Sequence, residues 1–537
     1  MKPQTLNGLT AALALCALWI AFGLTGHEPW KPDEAYSFGL VLHILQTGDW
    51  LIPTLGGEPF MEKPPVFYIT AALFVKIFGS WLPLHDAARL ATGFYLALTV
   101  LFISFTAKET GDEDGRRLAP LIFISCIGLF ELSHRLQTDI ALMTGITMSL
   151  YALALIPRRV VLGGVLLGTG TGIAFLSKGL IGPGFIGLVT LGLLAFSHWR
   201  SAAYFKGWLW ALAAALPWLM IWPLLLYLQA PQQFEVWLWD NNIARFIHTE
   251  HSGLGPQSEP WFYTKTLPWF AWPALPLSLW ALWKVLRNGE IKTPAIQLLL
   301  SAFGLMLAAL VVAHDARGNY ALPLLPPLAL LGSIGIQRIG KRGQSLWFWS
   351  GVGLFSMLAL VLWLGWAGMQ LGMPAVWAAR LEKIQPGYVD ALRLPALLIA
   401  LILSAGWLWV MAQMRGTPHR AAWSWAAGST LVWGLFCLLW LPFVDYGRSY
   451  RSVMTELGQH LDARQCVTSL GLGEPQRAML DYYAETKTQR LEVLPQSACP
   501  QLITQSKPEA PAGHWHMIWQ GTRPGDDREI FRLYHRE

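Results

Sequence analysis

Charge is what this chain lacks. Only 13% of its 537 residues are Asp, Glu, Lys or Arg, against 54% hydrophobic residues, too little polar surface to wrap one soluble globule of this length. Cysteine is scarce too. Of five cysteines, Cys16, Cys126 and Cys437 fall in apolar runs, and only Cys466 and Cys499 lie where an oxidising compartment would permit a disulfide. There is no low-complexity tract and no internal repeat of the kind that marks many transporters. The net charge of +6 would suggest nucleic acid in a soluble protein. Here the basic residues sit in short connectors between apolar runs, which is an orientation signal, so no nucleic-acid partner is expected.

What the chain has is hydrocarbon. Its mean hydropathy is +0.40, and apolar runs of about 20 residues recur along it. They predict a polytopic α-helical membrane protein with thirteen spans, near residues 6–26, 87–107, 118–134, 138–157, 160–176, 180–197, 208–229, 263–285, 294–313, 321–337, 346–369, 393–414 and 421–441. The first run is longer than a signal h-region and no small-x-small cleavage site follows it, so we expect it to be retained. Pro65 to Gly79 is short, carries Lys76 and begins with two prolines, which suits a juxtamembrane helix. With that segment outside the count, the connectors holding Lys108/Arg116/Arg117, Arg158/Arg159, Arg200/Lys206, Arg287/Lys292, Arg338/Lys341/Arg342 and Arg415/Arg420 all share one face, as the positive-inside rule demands.

The same parity brings Asp33, Glu34, Glu62, Lys63, Asp139, Lys178, the 230–262 loop and the His314–Tyr320 loop to the outer face. Ionisable residues from separate loops meeting at one membrane surface are what a shared active site for a lipid-borne substrate requires. Residues 1–441 then form the membrane part. Residues 442–537 lose the long apolar runs and form a small outer α/β domain, with helices expected over Ser449–Ala463 and Glu474–Ala484 and strands over Val467–Leu472, His514–Gln520 and Ile530–His535. Gly471-x-Gly473 reads as a turn, being too short for a dinucleotide fingerprint.

Each candidate residue has a plain reading beside its chemical one. Asp33, after Pro32, either starts a helix as its N-cap or takes a proton from an attacking hydroxyl, and Glu34 would orient it or act on it as a near like charge. Asp139 is either a helix-starting acid beside Arg135 or a site carboxylate. Lys63 is either part of a solvated turn or a phosphate ligand, and Lys178 either snorkels to the interface or binds phosphate. Arg245, Arg317 and Tyr320 supply donors suited to phosphate or serve as interfacial anchors.

Trp30-Lys31-Pro32-Asp33-Glu34-Ala35, Gly48-Asp49-Trp50-Leu51-Ile52-Pro53 and Glu62-Lys63-Pro64-Pro65 resemble the opening of the lipid A aminoarabinose transferases and the related protein O-mannosyltransferases. Gln137-Thr138-Asp139, Leu176-Ser177-Lys178-Gly179, Ile243-Ala244-Arg245-Phe246, Trp261-Phe262-Tyr263 with Leu267-Pro268-Trp269, and Tyr320-Ala321-Leu322-Pro323 continue the likeness in the family's order. The resemblance implies a GT-C type glycosyltransferase of the bacterial inner membrane. Such an enzyme takes a sugar from a polyprenyl (undecaprenyl) phosphate donor and gives it, with inversion, to a periplasmic-side acceptor such as lipid A or another envelope glycan. It implies catalytic roles for Asp33, Glu34 and Asp139, and phosphate binding by Lys63, Lys178, Arg245, Arg317 and Tyr320. Two other readings stay open: a protein O-mannosyltransferase acting on Ser or Thr, and a non-enzymatic lipid-sugar flippase.

The chain departs from the aminoarabinose transferases at Tyr36, where they usually carry Arg, and at Asp315-Ala316-Arg317-Gly318-Asn319, where they carry Ser-Lys-Leu-Pro. Donor sugar and acceptor are therefore left open. Some relatives hold a metal between the Glu at position 62 and a His where this chain has Asn242, a weak zinc ligand. A divalent metal at Glu62, with His248 or His251 substituting, is thus an open option and no other cofactor is expected.

Overall fold

Backbone immersed in hydrocarbon must satisfy its own N–H and C=O groups, and the α-helix does so within one segment. The computed structural model describes residues 3–130, 132–244, 261–313, 316–389, 391–414, 417–505, 515–524 and 526–536. Every apolar run carries helix. In order these are α1 (Pro3–Ala21), then α2 (Asp33–Thr47) and α3 (Val66–Phe78) in the first loop, α4 (Leu84–Thr110), α5 (Glu113–Ile124), α6 (Thr138–Leu155), α7 (Val160–Lys178), α8 (Ile181–Gly192) and α9 (Ala202–Gln229). They continue as α10 (Phe262–Phe270), α11 (Ala274–Asn288), α12 (Pro294–Val312), α13 (Leu325–Gln337), α14 (Lys341–Leu371), α15 (Leu394–Gln413) and α16 (Arg420–Leu435).

The expected count of thirteen spans is not reproduced. Among the described residues nine helices are long and apolar enough to cross a membrane, or ten if α5 and the turns Ile127–His134, bent by 62°, form one span. The difference has local causes. The run 263–285 is interrupted between α10 and α11 at Trp272-Pro273, where proline offers no N–H to continue the helix. The run 180–197 gives a regular helix of only 12 residues, α8. The juxtamembrane segment, outside that count, is the 13-residue α3, too short to span.

Large apolar side chains stand exposed along α9, among them Leu209, Leu212, Leu216, Leu224 and Leu228, a surface suited to lipid and not to water. Inward, packing is close because side chains are missing. A Cβ on Gly168 of α7 would lie 2.2 Å from the Ala211 carbonyl oxygen of α9, and one on Gly145 of α6 would lie 2.5 Å from the Gly170 carbonyl oxygen of α7. Small residues at such crossings let helix backbones approach where no hydrophobic effect drives them together. This fixes α6 against α7, whose ends carry Asp139 and Lys178.

The first loop also holds a short antiparallel hairpin, β1 (Thr54–Leu55) with β2 (Glu58–Pro59). Beyond α16 the chain continues as α17 (Leu441–Arg448), α18 (Arg451–His460), β3 (Val467–Leu470), α19 (Glu474–Ala484), β4 (Thr488–Arg490), β5 (Gln501–Gln505), β6 (Trp515–Arg523) and β7 (Asp526–Arg536). The five strands form a sheet in the order β4-β3-β5-β7-β6. β3 runs parallel to β4 and β5, and β7 runs antiparallel to β5 and β6. Cys466 and Cys499 are joined as a disulfide. Gly471 takes φ +74° in the turn after β3, and the Gly471 and Gly473 amides donate to Glu492 and Gln505 side chains.

Overpacking the α7–α9 crossing should cost about 1–3 kcal/mol or more. Gly168→Val is expected to lower the melting temperature in detergent by several degrees, whereas Gly184→Ala, where a Cβ meets nothing within 4 Å, should leave it unchanged.

Candidate active site

Asp33 opens α2 but does not cap it: the flanking residue is Pro32 and no side chain caps the first turn. As an acid in that turn it sits where the helix dipole favours negative charge. The Tyr36 hydroxyl, one turn on, donates to Asp33 Oδ1 at 2.8 Å and itself accepts a hydrogen bond from Lys63 Nζ. Lys63 also lies 4.8 Å from the centre of the Tyr36 ring. Burial alone would lower the Lys63 pKa, but neighbouring carboxylates, Glu62 foremost with Asp139 and Asp33, carry it above the ordinary lysine range, so the ammonium persists. Burial, Asp33 and Glu62 push the Tyr36 phenol well above its usual value, so it stays a neutral donor.

A second group comes from three other segments. Asp139, in the first turn of α6 and 1% exposed, is ion-paired with Lys178, the last residue of α7. Asn319 Nδ2 donates to its other oxygen at 3.3 Å. Lys178 Nζ stands 4.1 Å from the centre of the Tyr320 ring, which is carried by the 3-10 turn Gly318–Leu324. The next residue, Gly179, has φ +65° and a Cβ position only 2.0 Å from Asn242 Oδ1, so only glycine fits there. Asn242 accepts from the Leu180 amide at 3.0 Å and donates to the Trp237 carbonyl at 2.8 Å. The two groups adjoin: Asp139 acts electrostatically on Tyr36 and Lys63, and Lys63 and Glu62 act on Lys178.

Glu34 is not with them, which corrects the expectation that it works beside Asp33. Successive residues on a helix point about 100° apart, and Glu34, 1% exposed, faces α4. Its Oε1 accepts from Arg89 Nε at 2.6 Å and from the Leu136 amide at 3.2 Å, while Oε2 accepts from the Trp30 amide at 3.3 Å. Arg89 is fully buried and also binds Asp86 at 2.6 Å and the Leu24 and His27 carbonyls at 3.2 and 3.1 Å. Glu34 therefore ties the Asp33 turn to the bundle. Sequence reasoning missed Arg89, although an arginine inside an apolar run is a signal in itself; Tyr36 and Asn319 entered only as departures from the family pattern.

Arg317 flanks the Gly318–Leu324 turn and is exposed. Arg245, His248 and His251 lie outside the described residues. Among the described residues no group of three His, Cys, Asp or Glu could hold an ion, and the Asn242 amide bonds to backbone. A cleft of about 520 Å³ lies elsewhere, lined by Leu42, Gln46, Leu84, Asp481, Tyr482, Glu485 and Lys487, none of them in the cluster.

The dolichyl-phosphate-mannose-protein mannosyltransferase family matches residues 62–227. The undecaprenyl phosphate-alpha-4-amino-4-deoxy-L-arabinose arabinosyl transferase of Pseudomonas paraeruginosa is 30% identical over 445 residues, covering 79% of this chain and 74% of that one. Its counterpart from Serratia proteamaculans is 27% identical over 439 residues, again covering 79% and 74%. The crystal structure of ArnT from Cupriavidus metallidurans bound to undecaprenyl phosphate superposes with a TM-score of 0.72 at 16% identity, over 98% of this chain and 97% of that one.

A helical membrane region of this fold, with ionisable residues gathered at helix ends, defines a multi-pass membrane glycosyltransferase of the GT-C type. Within that class the chain belongs to the undecaprenyl phosphate-alpha-4-amino-4-deoxy-L-arabinose arabinosyl transferase family.

The Glu34–Arg89 pair gives a pH signature. Burial pushes the Glu34 carboxyl up, but Arg89, with His27 and Arg135, pulls it down from 4.5 to about 2. A carboxyl depressed on folding stabilises the fold fully above its unfolded value and loses that contribution as pH falls from about 4.5 towards 2, here about 3 kcal/mol. Glu34→Gln is expected to lower stability at pH 7 and flatten its fall between pH 5 and pH 3, read by melting in detergent. Arg89→Met, leaving Glu34 buried and unanswered, should cost about 3–5 kcal/mol.

Proposed function

We propose that this protein moves one sugar from an undecaprenyl-phosphate-type donor to an envelope glycolipid, lipid A first among the candidates, at the periplasmic face of the bacterial inner membrane. The observation that carries this reading is the convergence of Asp33, Tyr36 and Lys63 from the first loop with Asp139 and Lys178 from the facing ends of α6 and α7. The half-exposed Asp33 carboxylate accepts the proton of the acceptor hydroxyl as its oxygen attacks the anomeric carbon. The bond from that carbon to the phosphate oxygen breaks, the centre inverts, and Lys63 and Lys178 neutralise the departing phosphate. Tyr36 and Lys63 aim Asp33, and Asp139 with Asn319 aims Lys178, so Asp139 serves as a positioning carboxylate. Arg317, Arg245 and Tyr320 are further donors for the phosphate.

Several features support the sidedness. Arg158 and Arg159 join α6 to α7 at the ends opposite Asp139 and Lys178, as the positive-inside rule asks of a cytoplasmic connector. The Cys466–Cys499 disulfide suits a periplasmic module of residues 442–537 beside a transferase part of residues 1–441. A flippase would hold its key charges near mid-bilayer on broken helices, whereas Asp139 and Lys178 sit at helix ends. The match of residues 62–227 to protein mannosyltransferases favours a second acceptor, a Ser or Thr side chain.

Purified protein given a synthetic undecaprenyl-phosphate aminosugar and lipid A is expected to yield a lipid heavier by one sugar in mass spectrometry. Asp33→Asn should cut kcat by about 10²–10⁴ with the donor KM little changed, and Lys178→Met should weaken donor binding. Unchanged transfer by Asp33→Asn removes Asp33 from the mechanism, and sugar on secreted protein in place of lipid moves the acceptor to the second reading.

A further inference from the structure

The first loop, which carries Asp33 and Lys63, is gripped at both of these places by residues from beyond α16. Two residues before Asp33, Lys31 Nζ meets Glu529 Oε2 of β7 at 3.0 Å. Glu529 is 5% exposed and is itself fixed by Arg523 Nε at 2.8 Å, the Tyr450 hydroxyl at 3.0 Å and Gln505 Nε2 at 2.8 Å. The turn before Lys31 is held by α17: Asp445 Oδ1 accepts from the Glu28 amide at 2.9 Å and from the Trp30 indole at 2.8 Å. Four residues before Glu62, Glu58 of β2 is bound by Arg490 Nη1 of β4 at 3.1 Å and Arg477 Nη1 of α19 at 3.2 Å. Between these grips Gly39 of α2 packs on Ala478 of α19 so closely that a Cβ would stand 2.7 Å from the Ala478 Cβ.

We propose that the carboxy-terminal module is a positioning element for sugar transfer: the Lys31–Glu529 pair sets Asp33 and the Glu58–Arg490–Arg477 group sets Lys63. The inference rests on the transfer reading above and adds a task for residues 442–537. The physical reason is geometric. Asp33 begins its helix without a side-chain cap; Arg89 of α4 anchors one side of the turn through Glu34 and the His27 carbonyl, and Lys31 itself is held from the carboxy-terminal side by Glu529. Pairs whose acceptor is buried and multiply bonded hold their geometry where an exposed pair would not. A shift of about 1 Å in a reacting group costs up to about a hundredfold in rate.

The test uses the full-length protein with Lys31→Ala, Lys31→Arg, Glu529→Gln, Arg490→Ala and the Lys31→Ala/Glu529→Gln double variant. Lys31 is 39% exposed at its side chain, so its removal is expected to leave the fold intact. Expected for Lys31→Ala are a kcat lowered about tenfold or more with donor KM within about twofold, an unchanged melting temperature, and faster hydrogen exchange at the amides of residues 30–36. Lys31→Arg should restore kcat and the exchange rate, and the double variant should lose no more than the worse single, as one coupled pair requires. Arg490→Ala should loosen residues 58–64 in the same way. Wild-type kcat and wild-type exchange in both Lys31→Ala and Arg490→Ala overturn the proposal, as does a loss confined to melting temperature. If the wild type transfers no sugar, the function reading fails by itself, and the exchange pattern still decides the grip.

Discussion

A charge buried beside hydrocarbon survives only if it is answered within a few ångströms, and this constraint organises the protein. Three sets of paired charges meet it in different ways. Glu34, Arg89 and Asp86 are sealed between α2 and α4 and serve the scaffold. Away from the membrane, Glu529 and Arg523 are paired likewise within the carboxy-terminal sheet. Asp33 with Lys63 through Tyr36, and Asp139 with Lys178, are answered too, at or near the ends of helices from separate segments. In the transfer we propose, a lipid phosphate would take the place of these carboxylates beside the two ammonium groups, so that each keeps an anionic partner.

The two adjacent acids of the first loop show how one helix turn separates these tasks. Asp33 and Glu34 differ by one residue, and that rotation sends one carboxylate to Tyr36 and the other to Arg89. The scaffold pair holds the very turn on which the half-exposed carboxylate rides. Close helix contacts at Gly145 and Gly168 do the same for Asp139 and Lys178 at the ends of α6 and α7. The geometry of the cluster is therefore fixed by groups packed behind it.

Periodicity and length made the helical architecture legible, because a run of apolar residues has few options in a membrane. The helix Glu474–Ala484 is found with the ends read from sequence, and the expected Ser449–Ala463 shortens to Arg451–His460. The span count was not legible: whether an apolar run stays straight depends on breaks such as Trp272-Pro273 and the bend after Ile124, which hydropathy averages away. Strands β4 and β5 were missed because Thr488–Arg490 and Gln501–Gln505 are short and polar, and gain their pairing only from β3 and β7. In the site, the clustering of Asp33, Lys63, Asp139 and Lys178 followed from counting spans between them. The partner of each did not, because a pairing such as Glu34 with Arg89 joins residues 55 apart through packing that no local pattern records.

In the reading proposed here, charges from separate segments surround one lipid phosphate at a single membrane face. A cryo-EM structure of the protein in nanodiscs with undecaprenyl phosphate tests it most directly. The phosphate is expected within hydrogen-bond reach of both Lys63 and Lys178, with the Asp139–Lys178 contact lengthened to admit it. A phosphate seated at the opposite helix ends, beside the Arg158–Arg159 connector, would contradict it.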